Sequence, residues 1–398
     1  MTNQQKKPAV VLGGLSLIRP TGFAHIPVVM IENEEEILSS LSRYVVDYRI
    51  VNKLNEAEYV KTLVEVGERL LGKFGHRSFL VYGTDSDLKV IYAHADLLER
   101  YYLFLINGPA LRGALIDKWR FYLLSREKGL TIPETVRFND FLGGKTQLQF
   151  PIILKPRVTY RESTGREIFA FFNKYGKAFI LQGKNDLSKV NLDERYFADV
   201  VAQQYIDGND EDICSFHGFA TEESEILACF TGKKIRTYPK FTGQSTYLEL
   251  VKDEDLLRIG KEITKKLEIK GIFKIDFKKD LGSGIYFMLE INLRFNLWHH
   301  LGAVNGINLP HVAYEYLVNN RKLTIEDYGT RYRWCDFSND CLAFRELRDL
   351  GEIEWRRWIA DFVRGKTVYK MFSLNDPMPY VRWLIGGIGR RLGKWAGI

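Results

Sequence analysis

The sequence predicts a mixed α/β (α+β) protein of two or three packed domains, and three observations predict it. A chain of 398 residues with 45% hydrophobic content is longer than one ordinary core accommodates. Its N-terminal part alternates short apolar runs with helical periodicity, the arithmetic of βαβ units. Two strand-rich blocks then follow between Ile152 and Asn292.

Ala9 to Leu12 reads as a first strand, Pro27 to Ile31 as a second, Glu56 to Leu71 as a helix and Ser78 to Tyr82 as another strand. Gly13 and Gly14 permit a tight turn with close backbone approach to a ligand, though a plain structural turn fits equally well. The GxGxxG spacing of a dinucleotide site is absent. A helical pattern from Leu97 through Phe104 runs to Gly108-Pro109, a breaker pair that marks the first domain boundary. Beyond it come a helix to Lys128, the strands Ile152 to Pro156 and Ala178 to Leu181, and a run ending at Asp207-Gly208. The second block holds Ile213 to Phe219, Ile226 to Phe230, a helix from Asp253 to Leu267, and a hairpin from Phe273 to Asn292.

Lys plus Arg exceed Asp plus Glu by 57 to 50, a net charge of +7 that suits nucleotides, acidic substrates or anionic lipid. Nucleic acid is excluded, because only the C-terminal end carries a dense basic block. Four cysteines are scattered without a CxxC pair, which argues against a disulfide framework and a thiolate zinc site. With no signal peptide and no run of membrane-spanning length, a cytoplasmic location is expected.

The hairpin carries the most chemistry. If its register centres on Ser283, Asp276 and Glu290 lie opposite each other with Cβ atoms roughly 5 Å apart. Facing carboxylates repel unless a cation neutralises them, and Mg²⁺ takes few carboxylates together with phosphates. Period two places Asn292 and Arg294 on the face of Glu290, so Asn292 could complete the metal shell and Arg294 could hold a phosphoryl group or an oxyanion. An alternating strand with one solvated polar face accounts for the pattern as well.

In this order, the residues resemble the carboxylate-amine ligase branch of the ATP-grasp superfamily, which includes the D-aspartate ligases. Leu289-Glu290-Ile291-Asn292-Leu293-Arg294 resembles its "liEiNpR" segment, with Leu293 where proline is common, and Gly306-Ile307-Asn308-Leu309-Pro310 resembles the "Gvnlp" that follows. Asp117-Lys118 with Ile132-Pro133-Glu134-Thr135 resembles the opening "DK...gipvPeT", and Ile152 to Pro156 the "vvvKP" strand. The resemblance runs from about Ala9 to Tyr316. It implies a Rossmann-like pre-ATP-grasp domain over 1–112 and the ATP-grasp domain over 113–325; outside it, 326–398 is expected to be a helical C-terminal extension.

The resemblance also implies roles. Lys118 and Lys155 would lie on ATP phosphates; Gln203, Gln204, Tyr205 and Ile206 would form the adenine hinge; Asp210 would accept the ribose hydroxyls. Mg²⁺, or Mn²⁺ in its place, would be held by Asp276, Glu290 and Asn292. Gly232 to Pro239 resembles the "rKlR..P" strand, in which Lys234 and Arg236 share one face and aim into the site with Arg294 as catalytic cations. Gly243-Gln244-Ser245-Thr246 resembles a loop over substrate. The glycine-rich phosphate lid has no close counterpart, since Gly165, Gly176 and Gly183 are spread apart, and Arg161 to Gly165 is the candidate. His299 and His300 could line the substrate pocket, although packing or surface roles are commoner for histidine.

The function implied is ATP-dependent ligation of a carboxylate to an amine through an acyl phosphate, with an amino acid or peptide as one small-molecule partner and a homodimer as one assembly to expect. The alternative is a non-catalytic ATP-binding regulator with the same fold. It predicts losses among Asp276, Glu290, Asn292 and Arg294, and all four are present. The tail Tyr380 to Trp395 mixes apolar, aromatic and basic residues as an interfacial segment does, so peripheral membrane contact is a further expectation. A tail packed on the ligase body is the alternative, because interior glycines weaken the helix.

Overall fold

Ala9–Leu12 (β1), Val28–Glu32 (β2), Val45–Ile50 (β3), Ser78–Tyr82 (β4) and Tyr102–Leu103 (β5) form an all-parallel sheet in the order β3-β2-β1-β4-β5. The computed structural model describes residues 6–158, 166–174, 178–240, 243–363 and 365–395, with backbone alone for Arg166 and 387–395. The continuous apolar runs of β1 and β4 are buried throughout, as a parallel sheet covered on both faces requires. The helix Glu56–Phe74 buries Tyr59, Leu63, Val66 and Leu70 at helical spacing. Asn55 caps it, and Gly75 ends it at φ 71°. The strand order switches direction between β1 and β4, so the turns Gly13-Gly14 and Gly83-Thr84 lie together at the carboxyl edge, where such sheets bind ligands.

Thr135–Arg137 (β6), Ile152–Pro156 (β7), Phe179–Leu181 (β8) and Val200–Gln204 (β9) make an antiparallel sheet in the order β6-β9-β7-β8. It has its own core around Phe138, Ile152, Leu154, Ile168 and Phe172. The third sheet has seven strands, in the order β14-β13-β10-β11-β12-β15-β16. These are Ile213–Ala220 (β10), Ile226–Tyr238 (β11), Gln244–Val251 (β12), Gly271–Lys279 (β13), Tyr286–Asn292 (β14), Tyr332–Cys335 (β15) and Lys366–Tyr369 (β16).

Three expectations are corrected. The C-terminal extension is helical, yet it also adds β15 antiparallel to β12 and β16 parallel to β15, so the sheet runs across the expected boundary at 325. The boundary at 112 falls inside the helix Pro109–Ile116, because Pro109 occupies the first helical turn, where its missing N–H costs nothing. Leu97 to Phe104 is not a helix but the end of the short helix Ala95–Leu98 followed by β5.

Candidate functional site

Residues from all three sheets line one cleft of about 1200 Å³. Its floor is the β13–β14 hairpin, where Asp276 pairs directly with Glu290. That pairing depends on a bulge. Nearer the turn, Phe277 pairs with Met288 and Lys279 with Tyr286; the register shifts at Leu289, which brings Glu290 opposite Asp276. Lys274 Nζ lies 2.6 Å from Asp276 Oδ2. Asn292 Nδ2 donates to Glu290 Oε1 at 3.0 Å.

The two carboxyls titrate in opposite directions. Burial raises the Asp276 carboxyl, with Lys274 and Lys234 opposing and Glu290 adding to the rise. Burial would raise Glu290 too, but Lys274, the hydrogen bonds with Asp276 and Asn292, and Lys234 together pull it well below the usual range. Water reaches Glu290 through the open cleft although protein atoms crowd round its carboxylate, so its electrostatics are those of the cleft floor and not of a free surface. Asp276 Oδ1 is buried and has no hydrogen-bond partner among the described residues. An orphaned carboxylate oxygen facing a second carboxylate and an amide fits a hard divalent cation. Among the described residues no group of three or more His, Cys, Asp or Glu side chains could hold a metal, so the set is an open one that phosphate oxygens would complete.

Two lysines enter from the opposite wall. Lys155 leaves β7 and donates to Gln203 Oε1 at 2.7 Å, while Gln203 Nε2 donates to Thr135 Oγ1 at 2.9 Å. Burial, with the charge of Lys118 beside it, pushes the Lys155 ammonium down to about 8. Lys118 is the first residue of the helix Lys118–Glu127, whose N-cap Asp117 accepts from Trp119 and Arg120 N–H. Arg157, immediately after β7, grips Asp117 with Nε at 3.0 and 2.9 Å from its two oxygens and donates its Nη2 at 2.8 Å. One ion pair thereby ties the start of the Lys118 helix to the end of the Lys155 strand. Gln204 N–H is held by the Glu134 carbonyl at 2.8 Å, and Gln203 to Ile206 line the cleft as an edge.

Several expected site residues are placed differently. Lys234 lines the cleft, but Arg236 does not share its face. The β11–β12 register shifts between the two residues, which breaks the period-two alternation and buries Arg236. There it pairs with Asp340 at 2.9 and 3.1 Å and with Asp361 at 2.5 Å, over the Tyr247 ring. Asp210 is also buried away from the lining; the short helix Asp210–Asp212 turns its carboxylate to Thr237, which donates N–H at 3.2 Å and its hydroxyl. His299 and His300 are packed in the core, where burial lowers both to about 3. Gly243, Gln244 and Ser245 line the cleft, whereas Thr246 is buried against Arg236 and Asp340. The lid candidate Arg161 to Gly165 lies outside the described residues.

Arg294 lines the cleft and reaches across to the N-terminal sheet. Its Nε and Nη2 bind the two Asp85 oxygens at 2.8 and 3.0 Å, and Nη1 donates to the Gly83 carbonyl at 3.2 Å. Gly14, where a Cβ would strike the Glu36 carboxylate, brings the start of the helix Leu15–Phe23 onto the same wall.

This arrangement has relatives. Residues 221–336 match the family model described as ATP-grasp in the biosynthetic pathway with Ter operon. A D-aspartate ligase of Enterococcus faecium (strain Aus0004) is 23% identical over 283 residues, which cover 68% of this chain and 66% of that protein. Among solved structures, the L-amino acid ligase from Bacillus licheniformis superposes with a TM-score of 0.55 at 17% identity, over 79% of this chain and 75% of that one. The N5-carboxyaminoimidazole synthetase from Staphylococcus aureus gives 0.56 at 14% identity, over 82% of each chain.

The chain has the ATP-grasp fold. The matched ATP-grasp segment holds the hairpin, Lys234 and Arg294, and ends just past β15. The match to the ligase spans about two thirds of that protein's length. Two residues of this site were missed from sequence. Lys274 was findable, since period two puts it on the face of Asp276. Arg157 gave no signal, because its partner Asp117 is distant in sequence and meets it only through tertiary folding.

Proposed function

We propose that this ATP-grasp protein is an ATP-dependent carboxylate-amine ligase that forms an amide through an acyl phosphate. One observation carries the reading: the facing Asp276–Glu290 pair, Asn292 and the cations Lys118, Lys155, Lys234 and Lys274 line a single cleft. Similarity to a D-aspartate ligase and an L-amino acid ligase supports an amino acid or short peptide as one small-molecule substrate. Solved relatives with ADP or MgADP support ATP with Mg²⁺, and Mn²⁺ would suit the same oxygen donors. No helix among the described residues is long and apolar enough to cross a membrane. A cytoplasmic location is the setting that supplies MgATP.

Asp276, Glu290 and Asn292 would hold Mg²⁺, which neutralises the phosphates and withdraws charge from the γ-phosphorus. Lys155 and Lys118 would hold phosphate oxygens as flexible point charges. A carboxylate oxygen of the substrate attacks the γ-phosphorus, the bond to the β-bridging oxygen breaks, and ADP leaves. The amine then attacks the acyl carbon, gives up a proton, and phosphate departs. Arg294 and Lys274 would stabilise the negative oxygen of that addition. The chain needs no nucleophile of its own, only placement and charge. The test is ADP release from MgATP against a panel of amino acids offered singly and in pairs. Release stimulated by a particular pair supports ligation; tight MgATP binding without stimulation favours the regulator.

The titration of Lys155 adds a signed prediction. In the free protein this ammonium is charged below about pH 8 and neutral above it. Anionic nucleotide binds the charged form, so MgADP affinity is expected to fall toward tenfold per unit as pH rises past 8. Calorimetric titration from pH 7 to 9.5 measures it. Lys155→Arg should flatten the profile, and a wild-type profile already flat would show that Lys155 does not touch phosphate.

We also infer that the C-terminal helix Met378–Trp395 lies on anionic lipid, supported by exposed Val381, Trp383, Leu384 and Ile385 beside four basic residues without an acidic one. The full chain should float with phosphatidylserine vesicles, and a chain truncated after Pro377, which keeps Asp376 and its buried pair with Arg19, should not. Equal flotation would remove the tail from consideration.

A further inference from the structure

The N-terminal sheet ends at β3, and that edge shows apolar side chains to water. Val46, Tyr48 and Ile50, on one face by strand alternation, are 65, 46 and 38% exposed. Exposed Ile37 and Leu41 lie on the short helix Glu34–Leu41 that leads into the strand, and exposed Leu54 lies just past it. An edge of this kind is a template for another strand, and proteins ordinarily blunt it with lysine or proline. β3 carries neither. Its register against β2 slips once, at Val46, which leaves Asp47 to Ile50 as the regular stretch.

The backbone shows which groups face outward. Val51 N–H donates inward to the Glu32 carbonyl at 2.9 Å, so by alternation Tyr48 and Ile50 turn their N–H and C=O groups away from β2. At Tyr48 both groups are held by the neighbouring side chains. Asp47 Oδ1 accepts the N–H at 2.8 Å, and Arg49 Nη1 donates to the carbonyl at 2.7 Å and to Asp47 Oδ1 at 2.9 Å. Arg69, on the helix Glu56–Phe74, also donates to Asp47. All of these contacts reach water, so they are weak and exchangeable.

The order of the residues singles out a second copy of this chain as the partner. An antiparallel pairing about a two-fold axis at Tyr48 sets Asp47 of each copy against Arg49 of the other, and Val46 against Ile50. Moving the axis one residue either way would set Asp47 against Asp47 or Arg49 against Arg49. With Tyr48 turned outward, the two Tyr48 residues exchange both backbone bonds. Asp47 and Arg49 then fall at the other class of position, where facing Cα atoms are only about 4.5 Å apart.

We propose that β3 pairs antiparallel with β3 of a second copy, with Tyr48 on the axis, joining two five-stranded sheets into one. On pairing, Asp47 and Arg49 release the Tyr48 backbone and grip the opposite charges across the axis. The dimer is independent of the ligase reading and leaves the cleft to each copy.

The test is sedimentation equilibrium of the full chain, which should show a dimer at about 100 μM. Ile50→Lys, a change at an exposed side chain, should weaken it about tenfold or more, because the lysine enters the interface twice. Arg49→Glu should weaken it likewise by facing carboxylates with carboxylates, while Arg49→Lys should keep it. Circular dichroism checks that each variant is folded. Tyr48→Cys should close a disulfide between copies on mild oxidation, since about 5.5 Å between Cα atoms on the axis suits that bond. Leu54→Cys, well away from the axis, should not. A wild type that is monomeric at about 100 μM would overturn the proposal. So would a dimer indifferent to both Ile50→Lys and Arg49→Glu, or oxidation that links Leu54→Cys as readily as Tyr48→Cys.

Discussion

Glu290→Ala is expected to lower substrate-stimulated ADP release by about 10³-fold, the scale at which removing one preorganised electrostatic group acts on turnover. The loss should not be a folding defect. The Glu290 carboxylate lies on the cleft floor and not in the core, and it faces the like charge of Asp276. Its removal relieves repulsion from Asp276 but forfeits the attraction of Lys274 and Lys234, so the melting temperature should fall only modestly while the fold is kept. The discriminating readout is the melting shift on adding MgADP. Wild type should gain stability from the bound nucleotide, while Glu290→Ala should gain much less at the same concentration. Asp276→Asn should behave alike in activity, because it removes a charge and leaves the pairing intact. Were Glu290→Ala to keep both the shift and the turnover, the facing pair would be a solvated strand face and no metal site.

The pairing behind that prediction was legible in the sequence, but for an incomplete reason. Symmetry about Ser283 gave Asp276 opposite Glu290, whereas the strands next to the turn pair half a step away, and only the bulge at Leu289 restores the match. Bulges leave almost no trace in a single sequence, which is why the same alternation rule worked at Glu290 and failed at Arg236. Lysines at element ends were readable because their neighbours, Asp117 as a cap and Pro156 as a stop, have strong local meaning. Asp210 was misplaced because a three-residue helix turned its carboxylate to Thr237, a choice made by tertiary packing. The strands Tyr332–Cys335 and Lys366–Tyr369 are four residues each, the first half buried and the second with no buried residue, too little pattern to separate from loop.

Asp376→Ala is expected to destabilise the chain by about 3–5 kcal/mol, the usual cost of leaving a buried charge without its partner. Asp376 is 1% exposed and accepts three bonds, from Arg19 Nε at 3.0 Å, Ser42 Oγ at 2.9 Å and Arg43 N–H at 2.9 Å. Arg19 lies fully buried on the helix that starts beside Gly14, and it donates further to the carbonyls of Tyr369, Lys370 and Met371 at 3.2, 2.7 and 2.8 Å. Burial lowers the guanidinium against the opposing pull of Asp376, so the charge already sits in an unfavourable place that this carboxylate makes tolerable. Thermal melting of Asp376→Ala should fall by several degrees. The companion Arg19→Met removes the charge itself, and the double variant should therefore lose less than the two single losses added together. A strictly additive double variant, or an Asp376→Ala chain that melts with wild type, would show that carbonyls and solvent suffice for Arg19. The same clamp reaches the cleft, because Lys370 and Asp336 line its rim and are joined at 3.1 Å. Loosening Asp376 should thus raise the KM for substrate before the fold is lost, which ties the extension to the chemistry through the helix that carries Arg19.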